Sequence, residues 1–570
     1  MTDLNGREAS SRPSPWLLAI AAVAAAIVLA QGISAPFTKD AEPQSAQWMQ
    51  SVAHGHLLAP RDEYGFLTQK PLLYYWLGAA ITDLTGGVVD ETRARVVAVA
   101  AGVALATIIL AWTSENIGAI AGYLAFIFIL GTYGFASRAP LALTDMLLTL
   151  LVFAALVILY PMVERKPARG GLVLGAIVVL QLGVLTKGPI AIVLPALAIF
   201  FFWLMLKRNP LALIRERWVW TIAVAVLAMT TACYATWFSV GSPHLARTFI
   251  TENFGHLMPA GAGGTGESAR PTWFIVARVI GGAMPLVLLV PAAIVALARG
   301  EIAEAKRHAI LYAVSLTVAV IVLFSIASAK RDDYILPALP GIAIVCASIF
   351  GLTNGSRSAA ERFGGVTVAV IAFAMLTVIA ALAIASFGHM STPARLDSSD
   401  ADLLEVLLGG VRSWNLSILM LSLTIVATAT AALFALKRDQ FARSGLAIGL
   451  SSLAASLMFT AVVRPRLAER RSVREFARLV RARVDGAPIC IVRGVNYELS
   501  YYYGAAVPDL KAGGCADNKR SSTYLFAYAS EIDSLQPELR ARLRPVLRSN
   551  LVGGPGPPKL FEIAPVPGGG

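Results

Sequence analysis

Apolar positions in this chain fall in long unbroken blocks rather than in alternation. The blocks run over about 15–36, 93–112, 117–136, 141–162, 170–187, 189–207, 217–239, 271–298, 308–326, 334–351, 363–387, 413–436 and 443–463. A bilayer core takes about 20 apolar residues per helical crossing, so the pattern predicts about 13 transmembrane helices. The first block is longer than a secretory h-region and lacks a small-x-small cleavage site, which reads as a retained first span. Between the first two blocks, the loop 37–92 carries "AQWMQSVAHGHLL" and "PLLYYWLGAAITDLTG". Both predict helices too short to cross, with Trp and Tyr suited to the membrane interface. The loop 240–270 contains "PAGAGGTG", a Gly-rich run expected to be mobile.

The pattern changes near residue 465. "SVREFARLVRARV" puts Val473, Phe476, Val480 and Val484 on one helical face. "APICIV", "TYLFAY" and "KLFEI" read as short strands, and "SLQPELRARL" as a helix with Ser534 as its candidate cap. These elements predict an all-α polytopic membrane domain over 1–464, followed by a small soluble α/β domain over 465–570.

Composition agrees: 56% of residues are hydrophobic and 15% charged, against about 25% charged in a soluble protein. The formal charge of +13 does not imply nucleic acid, because the cations sit in short clusters between apolar blocks. "ERKPAR", "KRNPLALIRER", "RGEIAEAKRH", "NGSRSAAER" and "KRDQFAR" together hold fifteen Lys and Arg. All five fall on one side if the N-terminus, with Arg7 and Arg12, is cytoplasmic. The C-terminal domain is then extracytoplasmic, a compartment in which Cys490 and Cys515 have the option to pair. Cys233 and Cys346 lie in apolar blocks and read as packing residues.

With this topology, charged residues near the spans gather at the outer surface. Asp40 opens the first outer loop and Lys70 lies between its two short helices. Arg138 and Asp145 flank the start of the fourth span, Lys187 marks the break between the fifth and sixth, and Glu252 lies in the Gly-rich loop. Lys330, Arg331, Asp332 and Asp333 precede the tenth span. Taken singly, each has a bland reading: a solvated loop residue, a lysine snorkelling to headgroups, or a structural ion pair such as Arg138 with Asp145. Sharing one face with alternating signs, they predict a polar cavity open to the outer leaflet. Cations there suit a lipid phosphate, and a carboxylate suits proton abstraction from a hydroxyl.

The quoted segments resemble the GT-C class of integral membrane glycosyltransferases, in the branch of bacterial 4-amino-4-deoxy-L-arabinose (lipid A) transferases and dolichyl-phosphate-mannose–protein mannosyltransferases. "QKPLLYYWL" is similar to E-K-P-P-L-x-Y-W, and "SRAPLALTDMLLT" to R-x-x-L-x-D-x-x-L. "LTKGPIAIVLP" follows, then "TENFGHL" against E-N-x-x-R-F and "SAKRDDYILPALP" against S-K-x-x-Y-I-L-P-x-x-P. The resemblance implies a GT-C fold in a bacterial inner membrane. It also implies inverting transfer of a sugar from a polyprenyl-phosphate donor to an extracytoplasmic acceptor: lipid A or a related lipid first, with a glycan or a protein as alternatives. It makes Asp40 the catalytic carboxylate and Asp145 a second one. Lys70 becomes the donor-phosphate ligand, and Arg138, Lys187, Glu252, Lys330 and Tyr334 substrate-binding residues. The chain departs from the family at "DAEP", which lacks the usual Asp-Glu and the arginine after it, and at His256, where an arginine is common. Gln69 replaces a glutamate that in some relatives helps hold a metal, which argues against a divalent metal, and no other cofactor is implied. The competing class is a secondary transporter, which places ionisable groups near the bilayer midplane between related halves.

Overall fold

The computed structural model describes residues 12–37, 41–164, 167, 169–240, 270–327, 330–351, 358–388, 398–492, 494–510, 523–549, 551 and 557–564. Asp40, Glu252, His256, Cys515 and the Gly-rich stretch of the 240–270 loop lie outside these residues.

Every apolar block of the sequence contains helix. The first part of the chain forms α1 (Pro15–Leu29), α2 (Ala41–Ala53), α3 (Leu73–Thr85), α4 (Glu91–Asn116), α5 (Ala119–Gly131), α6 (Tyr133–Arg138) and α7 (Thr144–Val163). It continues through α8 (Gly170–Lys187), α9 (Ile190–Met205) and α10 (Arg217–Val240). After the 240–270 loop come α11 (Phe274–Gly282), α12 (Val290–Ala298), α13 (Glu304–Ile326), α14 (Leu339–Ser348), α15 (Ala359–Phe387), α16 (Ser398–Arg412) and α17 (Leu416–Lys437). Among the described residues nine helices are long and apolar enough to cross a membrane, and three apolar helices are shorter: α1, α5 and α9. The block at 271–298 is bent by 98° between α11 and a helical run over Leu286–Ala298, so it is not one straight span. The tenth block opens as a 3-10 helix over Asp332–Ala338 because Pro337 and Pro340 remove amide donors from its first turns. Its apolar stretch is nonetheless 89% buried, whereas that of α15 is 17% buried; the first lies inside the bundle and the second on its surface.

The last block does not end at the membrane. Helix runs from Phe441 to Val484, through α18 (Phe441–Leu457), a π-helical turn at Met458–Val463, α19 (Arg464–Arg471) and α20 (Arg474–Val484). The predicted apolar face of α20 is buried as Val473, Phe476, Val480 and Val484. It packs on a sheet of β1 (Ile489–Ile491), β2 (Thr523–Tyr528), β3 (Leu543–Arg548) and β4 (Pro558–Ile563), ordered β1-β2-β4-β3. β1 is parallel to β2, and the other pairings are antiparallel. β3 was not foreseen. The segment read as a helix from Ser534 forms only Pro537–Ala541, capped at Gln536, while the Ser534 hydroxyl donates to the Glu531 carbonyl. Cys490 is disulfide-bonded, and Cys233 and Cys346 are free.

The short helix α21 (Tyr497–Tyr503) lies between β1 and β2 in sequence and packs on α2. The α2 helix, read from sequence as interfacial, is largely buried, with Trp48, Met49 and Val52 in the main core. Its cover comes from α3 and α4 next to it in sequence and from α21 near the far end of the chain.

Candidate active site

The cavity is built from helix ends. α7 begins at Thr144 and α8 ends at Lys187, so antiparallel neighbours bring Asp145 to one end of the bundle beside Lys187. Asp145 sits in the first turn of α7 and Lys187 in the last turn of α8, each where its sign complements the helix dipole. Gly188 ends α8 at φ +80°, a backbone state that suits glycine, and Pro189 then redirects the chain into α9. The Lys187 ammonium meets Asp145 Oδ1 at 2.5 Å and lies 5.4 Å from the Tyr334 ring centre. Tyr334 itself stacks on Phe324 at 4.4 Å. The bland alternative, an ion pair of Arg138 with Asp145, is not what forms: Arg138 turns to Asp333, Nε to Oδ1 at 3.4 Å.

Lys70 is carried by a loop that the sequence fastens locally. The Asp62 carboxylate accepts from the amides of Tyr64 and Phe66 and from Gln44 of α2. Trp48 donates to the Phe66 carbonyl, and the buried Thr68 hydroxyl accepts from the Lys70 amide at 3.2 Å. This frame brings Gln69, Lys70 and Pro71 to the rim of a cavity of about 230 Å³. Its wall also includes Asp145, Lys187, Arg331, Asp333 and Tyr334, with Ala41 at the start of α2. Three cations thus face two carboxylates, and apolar side chains such as Leu148, Ile190 and Phe324 complete the lining. An apolar recess shares Pro71 with it and is walled by Leu58, Trp76, Leu185 and Trp237.

Of the residues singled out in the sequence, Lys70, Asp145, Lys187 and Tyr334 line the cavity, and Arg138 stands behind it through Asp333. Lys330 does not line it: its ammonium donates to the carbonyls of Ala327 and Arg270, the latter at 3.1 Å. Arg331 faces the cavity. The motif spacing held the signal, since its lysine stands three positions before the tyrosine, and Arg331, not Lys330, is three before Tyr334. Asp40 and Glu252 are not among the described residues. Among those that are, no group of three or more His, Cys, Asp or Glu is placed to hold a metal.

Sequence reasoning also missed a buried node beside the cavity. Glu42, fully buried, receives the Arg95 guanidinium at 2.8 and 3.1 Å and accepts from the Ala142 amide at 3.0 Å. Burial is the largest single influence and would raise the Glu42 carboxyl, but the charge and hydrogen bonds of Arg95, with the Arg464 charge and the Ala142 amide, together outweigh it and hold the group below the ordinary glutamate value. Arg95 also donates to the carbonyls of Ile33, Ala35 and Pro36. One ion pair therefore ties the link leaving α1, the start of α2, α4 and the turn entering α7.

Comparison with known proteins agrees with this picture. Residues 69–237 match the family described as dolichyl-phosphate-mannose-protein mannosyltransferase. A relative in Pseudomonas fluorescens, named undecaprenyl phosphate-alpha-4-amino-4-deoxy-L-arabinose arabinosyl transferase 1, is 27% identical over 306 residues, 52% of this chain and 50% of its own length. A protein of Erwinia tasmaniensis with the corresponding name is 25% identical over 383 residues, 62% and 64% of the two chains. The chain thus spans between half and two thirds of the length of these two relatives. The crystal structure of ArnT from Cupriavidus metallidurans in the apo state superposes with a TM-score of 0.71 at 17% identity, covering 96% of both chains. The same protein bound to undecaprenyl phosphate gives 0.69 at 16% identity, covering 96% and 97%. The fold is shared with the Cupriavidus metallidurans ArnT structures, and the relatives found by sequence bear the arabinosyl transferase name that the motifs resemble.

Proposed function

We propose that this GT-C chain is a membrane glycosyltransferase. In this reading it moves a sugar from a polyprenyl-phosphate donor to an acceptor at the outer face of a bacterial inner membrane, with inversion at the anomeric carbon. The acceptor is lipid A or a related envelope lipid. The observation that carries the proposal is the cavity at the bundle end, where Lys70, Lys187 and Arg331 face Asp145 and Asp333 beside an apolar recess. A phosphate needs cations, and a prenyl chain needs apolar cover. Names borne by the sequence relatives support the same donor class. The proposal keeps the membrane domain at 1–464 and the α/β domain at 465–570, with the N-terminus cytoplasmic and the C-terminal domain periplasmic.

In the reaction, Lys70 and Arg331 bind the donor phosphate. An acceptor hydroxyl attacks the anomeric carbon from the face opposite the phosphate. The new carbon–oxygen bond forms as the sugar–phosphate bond breaks, its electron pair leaves with the phosphate, and the hydroxyl proton passes to a carboxylate. Asp40 takes that proton, and Asp145, held by Lys187, supports the sugar. Charge that builds on the departing phosphate meets preorganised cations in a site walled by apolar groups, where such stabilisation is the largest contribution to rate.

The match to a protein mannosyltransferase family over 69–237 favours one second reading, a protein acceptor. Mass spectrometry of envelope lipids from cells with and without the chain separates the two. Loss of a sugar-sized mass from lipid A in the deficient cells supports the lipid acceptor. Unchanged lipids with loss of protein glycosylation would transfer the assignment to the second reading.

A further inference from the structure

The short helix α21 of the C-terminal domain packs on α2, whose first residue, Ala41, lines the cavity. α21 carries "YELSYYY", capped by Asn496, whose side chain accepts from the Leu499 amide. Gln47 of α2 donates to the Ser500 hydroxyl at 2.9 Å in a buried contact. Tyr501 donates to the Val89 carbonyl at 2.6 Å. The Tyr502 hydroxyl does two things at once. It donates to Glu91 Oε1 at 2.9 Å and accepts from the Phe37 backbone amide at 2.9 Å. Glu91 is held in turn by Arg474 of α20 at 3.3 Å.

Phe37 closes the link that leaves α1. Its ring is fully buried, 5.0 Å from the Arg95 guanidinium on one side and 5.1 Å from the Tyr501 ring on another. Arg95 holds the carbonyls of Ile33, Ala35 and Pro36 from within the bundle. Tyr502 holds the amide of Phe37 from the C-terminal domain. The polar groups of the link are thus gripped from both sides, four residues before Ala41 at the cavity wall. In sequence, Asp40 stands between the two.

We infer that Tyr502 is a positioning residue for the transfer reaction: its hydroxyl fixes the exit of the α1 link, so that the C-terminal domain sets the geometry of the α2 side of the cavity. This rests on the proposed glycosyltransferase reading, and it makes the α/β domain a working part of the site and not an appended module. The physical reason is the cost of misplacement. Removing a hydroxyl that satisfies an amide and a carboxylate leaves both short of a partner and frees the link to shift, and a shift of about 1 Å in a reacting group costs on the order of 10²-fold in rate.

The test uses the full chain in lipid vesicles with a radiolabelled undecaprenyl-phosphate sugar, comparing wild type, Tyr502→Phe, Tyr501→Phe and Lys70→Ala. Tyr501→Phe is the control, because it removes the hydroxyl bonded to the Val89 carbonyl while keeping the ring against Phe37 and the Tyr502–Phe37 hydrogen bond. The expected result is a fall of about tenfold in kcat per folded molecule for Tyr502→Phe, with donor KM unchanged and with Tyr501→Phe close to wild type. Hydrogen–deuterium exchange of the 33–41 peptide should quicken in Tyr502→Phe alone. Wild-type kcat in Tyr502→Phe, or equal losses in both tyrosine variants, would overturn the inference. A wild-type chain that transfers no label would defeat the proposed function instead, and the exchange measurement would still decide whether Tyr502 holds the link.

Discussion

Two neighbouring cations, Lys330 and Arg331, show how much one position matters. Lys330 donates to two backbone carbonyls, those of Arg270 and Ala327, while Arg331 lines the cavity with Asp333 and Tyr334. Arg331→Ala is expected to raise the donor KM about tenfold or more, the loss of one charge-assisted contact of about 1.5–3 kcal/mol, with thermal stability near wild type. Lys330→Ala is expected to lower the melting temperature and leave the donor KM unchanged. Donor-dependent initial rates and thermal unfolding in detergent distinguish these outcomes, and the opposite pattern would return the phosphate to Lys330. Lys70, Asp145, Lys187 and Tyr334 were legible because each sits in a motif whose order survives in this chain. The choice between two adjacent cations was not, since a one-residue offset leaves the composition of the motif unchanged.

At the scale of elements, the Glu42–Arg95 pair shows what spacing along a chain cannot reveal. Its partners are 53 residues apart, and in the sequence Glu42 is only the acid of "DAEP", two positions after Asp40. Folded, it joins the α1 link, α2, α4 and the entry to α7. Removing one partner of such a pair leaves a buried charge uncompensated and costs about 3–5 kcal/mol. Arg95→Met should therefore unfold at markedly lower temperature than wild type near neutral pH. The pH dependence follows from Glu42. Its native carboxyl lies below the ordinary value despite burial, because Arg95 favours the ionised form. The stabilisation is complete above the unfolded glutamate pKa and is lost as pH falls through the lowered native value. The deficit of Arg95→Met should shrink over that acidic window; a deficit independent of pH would show that packing, not charge, is what Arg95 supplies. The helices themselves were legible from apolar block length. The 98° bend in the block at 271–298 and the strand β3 were not, because neither leaves a periodic signature of its own.

For the whole molecule, charge is divided between two ends of one bundle. Arg12 pairs with Glu115, and Glu164 is met by Arg208 and His308, where α4 and α7 finish. At the other end, where α7 begins, stand Lys70, Asp145, Lys187 and Arg331, covered on the α2 side by the C-terminal domain through Tyr501 and Tyr502. A transporter would place such groups along a path at the midplane; here they gather at a helix end, which suits a lipid headgroup arriving from the side. The proposed reaction in this cavity is transfer of a sugar from a lipid phosphate. Its decisive measurement is label transfer from a radiolabelled undecaprenyl-phosphate sugar, comparing reconstituted wild type with Lys70→Ala. Transfer by the wild type and a loss of about 10²–10³ in rate for Lys70→Ala are expected; equal rates in the two proteins would rule out the role given to Lys70.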